Sequence, residues 1–75
     1  MSYSNATVAR NLKVERAKKG WSQADLANAS GINVGSIARY ETGENVPGLE
    51  QALKMARALG CSIDALVGWQ PPEVA

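Results

Sequence analysis

A chain of 75 residues with one cysteine and no histidine has room for one domain around a modest core. It cannot form an internal disulfide or assemble an ordinary zinc ligand set, so tight helix packing or a partner subunit must supply its stability. The formal net charge of +1 argues neither for nor against a polyanionic partner.

Five helical segments can be read in chain order, and no stretch shows the alternation of a strand. The first helix runs from about Asn5 to Lys19, with Val8, Leu12 and Arg16 repeating every four residues on one face. Gly20 ends it, and basic residues crowd its last turns, where they suit the helix dipole. The second begins at Ser22, a good N-cap with Asp25 three residues on. Trp21 and Leu26 take the positions of a hydrophobic staple. It ends at Ser30-Gly31, where glycine accepts a left-handed turn.

The third helix follows almost at once. Asn33 is its N-cap, Ile37 and Tyr40 give it an apolar face, and it stops near Thr42-Gly43. Residues 44–48 read as a surface loop. The fourth helix spans roughly Leu49 to Leu59, with Leu49, Leu53 and Ala56 expected on one side and Ala52 and Leu59 beside them. A brief fifth helix is capped by Ser62, carries Ile63, Leu66 and Val67, and ends at Gly68. These elements predict one domain over residues 1–68, with 69–75 as a loose C-terminal tail beyond it.

Charge is unevenly spread. Residues 1–43 hold six basic groups against three acidic ones, a balance of +3, whereas residues 44–75 hold two against four, a balance of −2. The first half is therefore the side that faces a polyanion, if either does. The lone Cys61 fits a reducing compartment and reads as a small buried apolar residue. The start of the chain lacks the basic and apolar runs of a signal peptide, and no stretch is apolar enough to span a membrane. The expected location is the cytoplasm.

Residues 23–41 are the informative segment: two short helices joined by a glycine-containing turn. In that arrangement the second helix can enter the major groove of DNA while the first crosses the backbone. Ala27 is small where the helices approach, Gly31 can turn, and Leu26, Ile32, Ile37 and Tyr40 supply apolar contacts.

Arg16, the run Ser22-Gln23 followed by Leu26-Ala27, Gly31-Ile32, and Ser36-Ile37 followed by Tyr40-Glu41 continue through Gly43, Pro47, Leu53, Ala56 and Leu59-Gly60. In this order and spacing the chain resembles the Cro/C1-type, or lambda-repressor-like, helix-turn-helix family over about Leu12 to Leu66. The resemblance implies an all-α, compact five-helix DNA-binding domain whose last two helices close the core, and a homodimer on a two-fold operator. It also implies an ion pair between Arg16 and Glu41 that orients the recognition helix.

On that reading Gln23 meets a phosphate, and Ser22 caps first and assists second. Asn33 is a cap before it is a base reader, Val34 packs on a thymine methyl, and Ser36 meets a phosphate. Arg39, one turn beyond Gly35, is the candidate to pair with guanine. Gly35 departs from the polar residue that related repressors carry there. Close approach of backbone to DNA and a position that no longer reads a base both remain open. Lys19, Thr42 and Asn45 are further candidates for backbone contact, while the acidic Glu44 departs from the basic loop of many relatives. Met55, Val67 and Trp69 are candidates for a dimer interface, with Trp69 alternatively folding back on its own domain.

The functional expectation is a sequence-specific transcriptional regulator, a phage or bacterial repressor that touches DNA and in some settings RNA polymerase. No enzyme activity, cofactor, metal, membrane or small-molecule ligand is expected. The alternatives are a restriction-modification controller, an antitoxin-type autoregulator, the N-terminal domain of a longer repressor, and a protein-interaction module that has lost DNA binding.

Overall fold

Helix ends in this chain are written by short-range chemistry. Ser22 Oγ accepts the Asp25 N–H at 3.1 Å, and Asp25 Oδ2 accepts the Ser22 N–H at 2.9 Å. This reciprocal pair satisfies two donors that a helix start otherwise leaves unmet. Asn33 Oδ1 accepts the Gly35 N–H at 2.7 Å, and Ser62 Oγ accepts the Ala65 N–H at 3.0 Å. Gly31 closes the second helix with φ of 75°, a conformation that side chains resist.

The computed structural model describes residues 5–68. It contains α1 (Asn5–Lys19), α2 (Gln23–Ser30), α3 (Val34–Thr42), α4 (Leu49–Leu59) and α5 (Ile63–Val67), with no strand among the described residues. Trp69 and the tail lie outside the described residues. α1 packs against α3 and α5, and α2 lies between α3 and α4. Leu12, Leu26, Ile37, Met55 and Leu66 are almost fully buried and form one cluster with Ile32, Ala56 and Leu59. Trp21, Ala27 and Tyr40 are half-buried against that cluster, as expected for a staple, a close-approach position and an apolar helix face.

The buried side of α4 differs from the expected one. Ala52, Met55, Ala56 and Leu59 face the core, while Leu49 is 71% exposed and Leu53 is 38% exposed. The buried set follows the i, i+3, i+4, i+7 stripe, and its two alanines let the helix approach its neighbours closely. Leu53 is one residue on from Ala52 and so points about 100° away around the axis. Met55 is therefore a core residue. It is not available for the dimer interface expected of it, because its side chain fills the centre of the cluster. Val67 is half-buried at the end of α5.

Two long-range contacts clamp α1 onto the rest of the fold. Asn5 Nδ2 donates to the Gly43 carbonyl at 3.0 Å, just past the end of α3. Asn11 Nδ2 donates to the Leu66 carbonyl at 3.2 Å in α5. Both carbonyls lie at or just past helix C-termini, where intrahelical partners run out.

Candidate nucleic-acid interface

α3 presents two unlike faces. Ile37 and Glu41 are buried and Tyr40 is half-buried, so one side is anchored in the fold. Asn33, Val34, Arg39 and Thr42 are exposed, and Gly35 and Ser36 are half-exposed. The outward side of residues 34–39 is not covered by any other described part of the chain. An open cleft of about 600 Å³ runs beside the turn, lined among others by Ala24, Ala27, Asn28, Ile32 and Val34. None of its lining residues is titratable, so it offers shape and no acid–base chemistry.

A polar knot joins α3 to α1 and to the start of α2. Arg16 Nε donates to Glu41 Oε2 at 2.7 Å, and Arg16 Nη2 donates to Glu41 Oε1 at 2.9 Å. The third guanidinium nitrogen, Nη1, donates to the Trp21 carbonyl at 2.8 Å. Such a fork holds a carboxylate in one plane and one direction. The Glu41 side chain is only 3% exposed. Burial pulls its carboxyl pKa upward, but hydrogen bonds from Arg16 and Gln23 and the charges of Arg16 and Lys13 outweigh that, leaving it below its ordinary value. The hydrogen bond to Glu41 raises the Arg16 pKa against the opposing effect of desolvation.

Gln23 belongs to this knot, which sequence reasoning did not anticipate. Its Nε2 donates to Glu41 Oε1 at 3.0 Å. An amide nitrogen carries two hydrogens, so the second stays free while the first fixes the group's direction. The signal was present in principle, since Gln23 and Glu41 bound the same motif. No rule of spacing joins two residues eighteen apart on different helices.

The other expected site residues fall into distinct positions. Ser22 and Asn33 are used as caps. Thr42 Oγ1 donates to the Arg39 carbonyl at 3.0 Å. Its proton is thereby engaged in closing α3 and is not the free donor expected for DNA. Asn45 is exposed in the following loop. Lys19 Nζ sits 5.0 Å from the centre of the Trp21 ring, within range of a cation–π attraction, and remains exposed close to the start of α2. Lys18 pairs with Glu15 at 3.2 Å on the surface. Arg39 is exposed and makes no ion pair among the described residues. Among the described residues no group of His, Cys, Asp or Glu could hold a metal ion, and no helix is long and apolar enough to cross a membrane. Burial pushes the Cys61 thiol up, away from the reactive thiolate.

Comparison with known proteins places this geometry. Residues 12–66 match the family model described as Helix-turn-helix, HTH_3. Over 52 residues the chain is 44% identical to the cryptic phage CTXphi transcriptional repressor RstR of Vibrio cholerae serotype O1. That match covers 68% of this chain and 46% of the repressor, so the chain spans about half the length of this curated relative. The restriction-modification controller protein C.AhdI from Aeromonas hydrophila superposes with a TM-score of 0.79 at 31% identity, covering 83% of this chain and 94% of the controller. The P22 c2 repressor, solved in complex with a synthetic operator, superposes with a TM-score of 0.75 at 30% identity, covering 80% of this chain and 91% of the solved repressor chain. The family model matches residues 12–66, most of the chain, and shows that this protein belongs to the Cro/C1-type helix-turn-helix family HTH_3, a family of DNA-binding transcriptional regulators.

Proposed function

We propose that this chain binds double-stranded DNA and serves as a sequence-specific transcriptional regulator, a repressor that acts by occupying its operator in the cytoplasm. The observation that carries this reading is the uncovered leading face of α3, locked at one angle by the Arg16–Glu41–Gln23 knot. Arg39 pairs with guanine O6 and N7 in the major groove, and Val34 packs on a thymine methyl. Gln23, oriented by Glu41, places its free amide hydrogen and the backbone N–H of the α2 start toward a phosphate. Ser36, Lys19 and Asn45 add backbone contacts, with Ser22 and Asn33 acting mainly as caps.

Two copies bind a pseudo-palindrome with half-sites about one helical turn apart, with Val67 at the end of α5 contributing to the contact between them. The protein has no catalytic role, and repression follows from occupancy or from contact with RNA polymerase. A restriction-modification controller is the second reading, favoured by the superposition that takes in 94% of the C.AhdI chain.

Fluorescence anisotropy with a random-sequence duplex tests the proposal. Binding should strengthen as salt is lowered, because each phosphate contact releases counterions. The acidic Glu44 in place of a basic loop residue predicts a shallow salt slope. Absence of any binding at low salt would leave a protein-interaction module as the better reading.

A further inference from the structure

Gly35 lies in the first turn of a nine-residue helix, where glycine is less stable than alanine. Its φ is not in the left-handed region, so the backbone does not demand it. The surroundings show what its missing side chain permits. A Cβ at this position would lie 3.0 Å from Asn33 Oδ1 and 3.9 Å from Arg39 Nη1.

The first distance is to the oxygen that caps the Gly35 N–H at 2.7 Å. The second shows the Arg39 guanidinium lying back over the vacant position. Helical side chains lean toward the N-terminus and cover the turn before their own Cα, so residue 35 is the one that Arg39 meets. Asn33 is tied to its cap and Val34 is apolar. With Ser36 assigned to a phosphate, polar readout of a base from this face falls to Arg39.

Resting on the DNA-binding reading above, we infer that Gly35 is a specificity-determining residue. Its empty position lets Arg39 lie along α3 and present its guanidinium where a side chain at 35 would otherwise stand. The target chemistry is the paired acceptors of one guanine in each half-site. Arg39 touches the base and Gly35 positions it. Glycine here neither marks a lost reading position nor requires backbone-to-DNA contact.

The test is selection of bound duplexes from a random library by the wild type and by Gly35→Ala, Gly35→Gln and Gly35→Glu. Alanine adds only an ordinary contact with Arg39 and a small shift of Asn33, so it should keep the wild-type guanine. Glutamine occupies the space, and glutamate captures Arg39 in an i, i+4 pair. Both should lower the guanine preference at that base pair by about tenfold or move it to a neighbour. Unchanged guanine preference in either long variant that melts cooperatively overturns the inference and leaves DNA binding standing. A wild type without salt-dependent binding to random duplex overturns the DNA-binding reading and the inference together.

Discussion

Arg16 and Glu41 face each other as a two-pronged pair, with nitrogen–oxygen distances of 2.7 and 2.9 Å. The pair joins α1 to the last turn of α3, and its third prong ties in the chain between α1 and α2. Gln23 extends it into α2. The Glu41 carboxylate thus joins α3 to α1 through Arg16 and to α2 through Gln23. Desolvating two charges offsets much of their attraction, so the intact pair adds little net energy over an apolar contact of similar volume.

Removing one partner is a different matter. Arg16→Ala leaves a carboxylate that is 3% exposed with Gln23 as its remaining side-chain donor. Breaking a buried pair costs about 3–5 kcal/mol, and the low end applies because Arg16 itself is 20% exposed. In a domain this small, about 3 kcal/mol lowers the melting temperature by roughly 12–24 °C. Arg16→Lys should recover only part of this, because an ammonium cannot reproduce the fork. An unshifted melt for Arg16→Ala would reject the role.

Acid should dissolve the same knot. Glu41 titrates below its ordinary value in the folded chain, against about 4.3 when unfolded. A depressed carboxylate stabilises the native state at pH values above the unfolded pKa, and that contribution is lost as pH falls through the folded pKa. Wild type should therefore exceed Glu41→Gln in melting temperature at neutral pH, and the gap should close as pH drops from about 5 toward 3. A gap that stays constant over that range would show that Glu41 is not the titrating group.

Arg39→Ala separates base reading from backbone contact. The exposed side chain contributes little to stability, so the melt should stay within about 0.5 kcal/mol of wild type. Affinity for the preferred site should fall by about 1–3 kcal/mol, with relaxed preference at one base pair. A uniform loss on all sequences would reassign Arg39 to phosphate.

Core and surface leucine-like positions in α4 should respond oppositely. Met55→Ala opens a cavity in the main cluster and should cost about 2–5 kcal/mol in a urea melt. Leu49→Ala, at a position 71% exposed, should stay within about 0.5 kcal/mol. A large loss at Leu49 with little at Met55 would mean that the opposite side of α4 is buried in solution.

The local features were legible without coordinates, because each depends on residues a few positions apart. The Ser22–Asp25 box, the Asn33 cap, the glycine stops and the order of five helices are of this kind. So is the motif that points to the helix-turn-helix family, which places Leu26, Ile37 and Ala27 at set intervals. What spacing could not decide is how far each helix reaches into the core. α4 carries apolar residues on more than one side, and only its neighbours select Ala52, Met55 and Ala56 over Leu49 and Leu53. The bond from Gln23 to Glu41, the engagement of the Thr42 hydroxyl and the space that Gly35 leaves for Arg39 likewise depend on where side chains end in three dimensions. Periodicity reports direction around one axis, whereas burial and hydrogen bonding are settled by the distance to atoms from other parts of the chain.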